Sequence, residues 1–277
     1  MKTNAKNNIA KIILYFGLVL LSVLFLAPIV WVIMSSFKTS SELFSWPPTL
    51  IGSHPTINNY VQAFARGNFL GFFINTVFVS VIATILTIVI NLLSGYAFAK
   101  YEFKGQKFLF AIVLATLMIP LEVIMVPIFK VIVAFNLYNN LWGLIIPAVA
   151  SPTSVFLVKQ YYEGITSAYM EAARIDGASE LMILTRIMLP MAKPVISVLG
   201  ILSFMWRWND FLWPKLVIIS REKFTLQLAL ANFAGEFNVD WSSLLAMSTI
   251  SMIPVIIVFI ALQKYIIGGI TAGGVKG

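Results

Sequence analysis

Long apolar stretches alternate with short polar connections along almost the whole chain. A helix that crosses a bilayer needs about 20 predominantly apolar residues. Six stretches reach or approach this length; charged residues lie inside two of them and near the end of a third. The pattern predicts an all-α polytopic membrane protein that forms a single transmembrane domain over residues 1–277. The predicted spans are residues 12–37, 69–98, 108–135, 141–160, 194–214 and 241–263.

Composition supports this class of protein and excludes several others. The chain is 60% hydrophobic and only 11% charged, whereas soluble domains carry about 25% charged residues. The absence of cysteine excludes disulfides, thiolate metal sites and cysteine nucleophiles. The single histidine, His54, has no second histidine with which to build a relay, and we interpret it as an ordinary loop residue.

The net charge of +8 comes from basic residues scattered among the connections. A nucleic-acid-binding protein would cluster them on one face, so we interpret them as topology signals and contacts to lipid headgroups. Twelve fall on the N-terminal side of the membrane and five on the other, which predicts that both termini are cytoplasmic. The twelve are Lys2, Lys6, Lys11, Lys100, Lys104, Lys107, Lys159, Arg174, Arg186, Lys193, Lys264 and Lys276; the five are Lys38, Arg66, Lys215, Arg221 and Lys223.

One charged segment, residues 166–190, interrupts the apolar mass between the fourth and fifth predicted spans. Its first half is rich in helix-forming residues, and Gly177 is predicted to end or bend that helix. Residues 178–188 are predicted to form a second helix along the membrane surface. The apolar face of that second helix is predicted to consist of Leu181, Leu184, Ile187 and Met188.

The chemistry of the charged segment suits contact with a protein. Alanines at 172, 173 and 178 leave little bulk, so another backbone can approach closely. Glu171 and Asp176 can form charge-assisted hydrogen bonds with a basic groove. The alternative is an amphipathic helix that only lies in the membrane interface.

The amino-acid sequence of the charged segment resembles a known motif. Glu171-Ala172-Ala173, followed by Gly177 and then by Ile187-x-Leu189-Pro190, is similar to the EAA motif in permease subunits of bacterial ATP-binding-cassette importers, and the carbohydrate importers are most similar. Leu184 stands where those relatives commonly have phenylalanine, which keeps an apolar contact. Further resemblances, in order, are Pro47-Pro48, Asn59-Tyr60, Asn75-Thr76, Gly95-Tyr96-Ala97, Phe103-Lys104-Gly105, Pro120-Leu121-Glu122 and Trp208-Asn209-Asp210-Phe211.

The resemblance implies a type I importer transmembrane domain (MetI-like) in the bacterial cytoplasmic membrane. It implies as partners a second permease subunit, two ATPase subunits and an extracellular solute-binding protein. ATP and Mg²⁺ would be bound by the ATPase subunits and no cofactor by this chain. The chain indeed has no GxxxxGK[ST] phosphate loop, so we expect a transporter subunit and not an enzyme.

Residue by residue, the resemblance assigns the charged segment to coupling with the ATPase. Glu171 would make a polar or ionic contact with the ATPase, and Asp176 would cap or brace the bend. Close packing would involve Ala172, Ala173, Gly177 and Ala178.

In the predicted C-terminal tail, residues 264–277, the stretch Gly268–Gly277 resembles the tail of the second, maltose-type membrane subunit. The resemblance implies that Thr271, Gly274 and Lys276 also contact the ATPase subunits. The glycines of this tail equally fit a frayed end, so both interpretations stay open.

Charged residues inside predicted spans are costly in lipid and usually face the interior of a helix bundle or water. Glu122, Lys130, Arg207 and Asp210 are such residues. Glu122 follows Pro120, where the third predicted span is expected to bend. We predict Glu122, Trp208, Asn209 and Asp210 as candidates for the translocation path, since sugars are bound by hydrogen bonds and aromatic stacking. The alternative is structural pairing, because Arg207 and Asp210 are three residues apart on one helix.

Two other functions compete with a carbohydrate importer. One is an importer permease for another solute, such as glycerol phosphate. The other is a self-sufficient secondary transporter, for which Glu122 and Asp210 are the only plausible ion-coupling carboxylates. A membrane-embedded enzyme is disfavoured, because the chain has one histidine, no cysteine and no clustered carboxylates.

Overall fold

The computed structural model of the protein describes residues 2–66, 68–235 and 239–273. Side chains are described for residues 11–65, 68–235 and 239–265. Within these residues all regular secondary structure is helical, which confirms the predicted all-α class. The chain divides into two compact units. One unit contains residues 1–69 and 232–252, and the other contains residues 70–231 and 253–277.

The first unit joins a long apolar helix, α1 (Lys2–Ser35), to the polar loop that follows it. The buried Asn59 amide donates to the carbonyls of Ser36, at 2.7 Å, and Lys38, at 2.8 Å. These bonds hold α3 (Asn58–Arg66), a short amphipathic helix, against the end of α1. The unit also contains α2 (Ser40–Leu43) and parts of α14 (Leu226–Ala234) and α15 (Trp241–Gly273).

The second unit contains the other helices and the charged segment. Its long first helix, α4 (Phe69–Lys100), packs against several of the later helices. The remaining elements are α5 (Gln106–Thr116), α6 (Leu121–Ala134), α7 (Trp142–Val149), α8 (Pro152–Glu163), α9 (Ala168–Ile175), α10 (Glu180–Met182), a π-helix (Ile183–Met188), α11 (Leu189–Met191), α12 (Lys193–Trp208), α13 (Leu212–Val217) and a 3₁₀ turn (Arg221–Lys223).

Six spans were predicted, and the described residues contain between four and six candidates for them. Four single stretches are long and apolar enough to cross a bilayer, and two bent pairs raise the number to six if each pair is one span. In the first bent pair α5 and α6 meet at 108°. The bend predicted at Pro120 is present there, because a residue before proline avoids helical backbone angles. The four stretches are Lys11–Ser35, Phe69–Lys100, Trp142–Glu163 and Trp241–Tyr265.

The second bent pair corrects the predicted span at 194–214. Here Glu180–Met191, at the end of the charged segment, meets α12 at 72°. α12 ends at Trp208, and three residues separate it from α13. The fifth predicted span is therefore a shorter helix with breaks at both ends.

The helices α4 and α8 approach each other closely where the charged segment packs against them. A Cβ atom added at Gly95 would lie 2.5 Å from the Cβ of Val158, so no larger residue fits without separating the helices. Tyr96 and Tyr162 are buried beside this contact. They belong to an apolar cluster that also contains Ile183 and Met188 of the π-helix. The charged segment thus shares a core with α4 and α8.

Buried polar side chains of α4 form hydrogen bonds with the backbone at the break between α7 and α8. The amide of Asn91 donates to the carbonyl of Val149 at 2.7 Å and accepts from the N–H of Ser151 at 3.0 Å. Thr87 donates to the carbonyl of Ala148 at 3.2 Å. Backbone groups freed by a helix break must find partners inside a membrane protein, and these side chains supply them.

Candidate functional site

The charged segment begins with α9, a short helix with one buried and one exposed side. Met170 and Ala173, three residues apart, are buried in the cluster shared with α4 and α8. Glu171 and Ala172 are exposed. This follows from the helical period of 3.6, which directs residues three or four apart to one side. The exposed side of α9 is free to meet a partner.

The chain reverses at Gly177, as predicted. Gly177 has a φ of +81°, in the left-handed region that glycine enters without steric penalty. Its N–H donates to the carbonyl of Arg174 at 3.0 Å, and the N–H of Ala178 donates to that of Ala173 at 2.9 Å. This pair of bonds is a Schellman motif, which ends α9 and directs the chain into the second arm.

The second arm differs from the single helix predicted over residues 178–188. Ser179 caps it, with its hydroxyl accepting from the N–H of Met182 at 3.3 Å. After the three residues of α10, the backbone becomes a π-helix. The looser π turn brings residues five apart to one face, and Ile183 and Met188 are both fully buried.

The apolar face predicted for this arm is therefore partly wrong. Leu181 was assigned to the buried face, yet 69% of it is exposed. Ile183 was not assigned to that face, yet it belongs to the core. A prediction based on 3.6 residues per turn assigns the wrong residues to the buried face where the helix changes to π geometry.

A clamp of three side chains braces the reversal. The Arg174 guanidinium donates to both Glu180 carboxylate oxygens, at 2.6 Å and 3.2 Å. The Tyr101 hydroxyl, from beyond the end of α4, donates to the same carboxylate at 2.6 Å. Asp176, predicted to cap or brace the bend, is the C-cap residue of α9, and its backbone N–H donates to the carbonyl of Ala172 at 3.0 Å.

Charge and hydrogen bonding favour the ionised state of this clamp. The bonds from Arg174 and then from Tyr101 lower the pKa of Glu180 to about 2. The bond to Glu180 raises the pKa of Arg174. Burial, and then donation to Glu180, raises the pKa of the Tyr101 hydroxyl above its usual value. The Arg174–Glu180 ion pair is therefore intact at neutral pH, with Tyr101 protonated and donating to it.

Tyrosine rings connect the clamp to the apolar helices. Tyr101 packs edge-on against Tyr96, with centroids 5.5 Å apart, and Tyr96 packs against Tyr162 at 5.2 Å. The Tyr162 hydroxyl donates to the carbonyl of Met188 at 3.3 Å. Both arms of the charged segment are therefore attached to α4 and α8 by aromatic packing and hydrogen bonds.

The exposed face of the charged segment is small, acidic and partly apolar. Glu171, Ala172 and Asp176 are exposed there. Ile175, at the tip of α9, is 87% exposed, and Leu181 lies exposed beyond the reversal. The sequence prediction missed Ile175, although its spacing of four and three from Glu171 and Ala172 would have indicated the same face. Exposed apolar residues beside acidic ones are typical of a protein contact.

Two residues assigned to the docking surface lie elsewhere. Ala173 is 7% exposed and packs within the core of its own chain, and Ala178 is half-buried against that core. Their small size lets the two arms approach each other. The predicted docking surface therefore reduces to Glu171, Ala172, Asp176 and Gly177.

The residues predicted for a translocation path lie in different environments. Glu122 is exposed in the first turn of α6. Asp210 lies 3.6 Å from Arg207, which confirms the predicted pairing, and it accepts from the N–H of Trp213 at 3.3 Å. Asn209 is exposed and donates to the carbonyl of Met205 at 2.9 Å. Trp208 is fully buried and stacks on Phe204, with centroids 5.4 Å apart.

The residues predicted for the tail contact lie at the end of the described chain. Thr271 falls within the backbone of α15, and its side chain lies outside the described side chains. Gly274 and Lys276 lie outside the described residues. In the described part of the chain, no three His, Asp or Glu side chains are grouped so that they could hold a metal ion.

Comparison with known proteins gives a consistent result. The family model of the binding-protein-dependent transport system inner membrane component matches residues 91–271, which include the charged segment. The chain is similar to the arabinooligosaccharides transport system permease protein AraQ of Halalkalibacterium halodurans, with 37% identity over 268 residues, 96% of each chain. It is 31% identical to the trehalose/maltose transport system permease protein MalG of Thermococcus litoralis, over 96% of this chain and 97% of that one.

A solved structure is similar along almost the whole chain. It is a chain in the crystal structure of a bacterial ABC transporter involved in the import of the acidic polysaccharide alginate. The TM-score is 0.84 at 25% identity, and the match covers 94% of this chain and 97% of that chain.

Proposed function

This chain belongs to the family of binding-protein-dependent transport system inner membrane components, and we propose that it is a permease subunit of an ATP-driven importer for a carbohydrate. Members of this family are membrane subunits without enzymatic activity, so the chain is a transporter subunit. The observation that carries the proposal is the braced reversal at Gly177, with its exposed acidic and apolar face. A surface held this rigidly can transmit force from a bound partner.

The importer contains partners that this chain needs. A second permease subunit completes the translocation path, two ATPase subunits bind ATP with Mg²⁺, and an extracellular solute-binding protein delivers the solute. The sequence has no GxxxxGK[ST] phosphate-binding loop with which the chain could itself bind ATP. In this proposal, the energy for transport therefore comes from ATP hydrolysis in the ATPase subunits.

The charged segment is the coupling element in this proposal. Glu171, Ala172, Asp176 and Ile175 meet a cleft of an ATPase subunit, and closure of the ATPase pair moves the segment. The clamp of Arg174, Glu180 and Tyr101 keeps its two arms rigid. The tyrosine contacts then carry the movement to α4 and α8. A switch between two packed arrangements of these helices changes access to the path.

An oligosaccharide is the proposed solute. The names of three similar proteins refer to arabinooligosaccharides, to trehalose or maltose, and to alginate. Glu122, Asn209 and Asp210 are proposed to line the path, since they carry hydrogen-bonding groups at or near the surface of this chain. Trp208 contributes in this proposal only if the packing around α12 changes, because its ring is buried. The tail residues Thr271, Gly274 and Lys276 are proposed as a second contact to the ATPase subunits.

Reconstitution tests this function. The tagged chain is purified with its accompanying subunits, placed in liposomes with its solute-binding protein, and assayed for ATP hydrolysis with a panel of solutes. We expect arabino-oligosaccharides or maltodextrins to stimulate hydrolysis and to enter the liposomes only with ATP. Stimulation by glycerol phosphate alone would contradict the carbohydrate assignment. Uptake without ATP would instead support a secondary transporter.

A further inference from the structure

A cleft of about 420 Å³ opens where the end of α4 meets the start of α5 and the end of α8. Its volume lies within the range of about 300–1,000 Å³ that is typical of small-molecule sites. Lys100, Lys107 and Lys159 line it together with two glutamates, Glu102 and Glu163. It lies beside the charged segment but shares none of the exposed docking residues.

The positive charges of this cleft are only partly neutralised. Lys159 pairs with Glu163, and Lys100 donates to the carbonyl of Ile165 at 2.5 Å. Lys107 is exposed and makes no hydrogen bond or ion pair with any other described residue. The first turn of α5 has no side-chain cap, so its free N–H groups add partial positive charge. The cleft can therefore accept an anion from the side of Lys107.

An apolar surface continues directly from the cleft along α5. Phe110 forms part of the lining, and Lys159 lies over its ring at 4.4 Å. Beyond it, Leu114 in α5 and Leu117 at its end are exposed one and two turns further along the same face. A free inorganic anion would use only the cleft, and a soluble acidic protein would leave these side chains in contact with water. A ligand with an anionic head and apolar chains matches both surfaces.

We propose that the cleft binds the phosphate headgroup of an anionic phospholipid, with the acyl chains along the apolar face of α5. Basic residues at the ends of membrane helices attract anionic headgroups, and here three lysines from three helices converge on one volume. The lipid would brace α5 and α8 on either side of the attachment point of the charged segment. This inference requires only that the chain lies in a bilayer, so it does not depend on the solute or on the ATPase.

Lipid titration with native mass spectrometry tests the site. The chain is purified with any accompanying subunits, delipidated in detergent, and titrated with phosphatidylglycerol or with phosphatidylcholine. We expect preferential retention of phosphatidylglycerol. Lys107→Gln should weaken that retention about fivefold, since one lysine near an anionic lipid contributes about 1 kcal/mol.

Lys193→Gln serves as the matched control, because Lys193 is an exposed lysine at the start of α12 outside the cleft. It should leave lipid retention unchanged, and size-exclusion chromatography should show both variants intact. Equal retention of the two lipids, or equal losses in the two variants, would overturn the proposal. Displacement of phosphatidylglycerol by millimolar inorganic phosphate would show that the site selects the free anion and not the lipid.

Discussion

Gly177→Val abolishes most ATP-driven uptake while the protein still inserts into the membrane. Gly177 adopts a φ of +81°, and a β-branched residue in such a conformation costs about 1–3 kcal/mol. That cost is a factor of about 5–150 in the population of the native reversal. Loss of the reversal separates the two arms of the charged segment, so the exposed face no longer fits one partner. Uptake into vesicles and the amount of membrane-inserted protein are measured together.

A second glycine provides the control for this result. Gly105 has a φ of +85° at the start of α5, and, as at Gly177, no atom lies within 4 Å of an added Cβ. Gly105→Val therefore introduces the same backbone strain outside the charged segment. We expect it to reduce uptake much less, and we expect Gly177→Asn, which tolerates left-handed angles, to retain most activity. Equal losses at the two glycines would assign the effect to general destabilisation.

Disruption of the clamp is expected to uncouple ATP hydrolysis from transport. Arg174→Gln removes the ion pair with Glu180 and leaves that carboxylate bonded to Tyr101 alone. The two arms can then move separately when the ATPase subunits close. We expect uptake per ATP hydrolysed to fall about fivefold, the low end of the usual range for coupling between distant sites. Hydrolysis and uptake are measured on the same proteoliposomes.

Arg186→Gln is the matched control for the clamp. Arg186 is also an exposed arginine of the charged segment, but it makes no ion pair with any described residue. Its replacement changes the net charge equally and should preserve the ratio of uptake to hydrolysis. Tyr101→Phe should reproduce part of the Arg174→Gln effect, because it removes the hydrogen bond that the residue after α4 donates to Glu180. An unchanged ratio in both clamp variants would mean that the two arms are held by packing alone.

The long membrane helices could be predicted from the sequence, because their apolar stretches are long. The helices α4 and α15 and the reversal at Gly177 were predicted, since length and a glycine in a polar segment are local signals. The 108° bend between α5 and α6 was predicted only as a bend at Pro120. Its angle depends on packing, which no local pattern encodes. The same holds for the breaks on either side of α12.

The site was predicted less completely than the fold. Glu180 and Tyr101 lie 79 positions apart, so their contact arises from tertiary structure. The π-helix places Ile183, and not Leu181, on the buried face. No periodic pattern in the sequence marks this change in hydrogen-bond register, so the prediction missed it. Ala173 illustrates a third reason. A small residue permits close packing, but the sequence does not show whether the residue packs against its own chain, as Ala173 does, or against a partner subunit.

Site-specific cross-linking tests most directly whether the exposed face of the charged segment docks on an ATPase subunit. The chain has no cysteine, so Ala172→Cys introduces a unique thiol at an exposed position, and Ser53→Cys introduces one in an exposed loop before α3 as the control. In native membranes a thiol-reactive photo-cross-linker at position 172 should join the chain to the ATPase subunit, in an amount that changes when ATP is added. Position 53 should give no such product. Absence of the ATPase product at position 172, in a variant that still supports uptake, would contradict docking through this face.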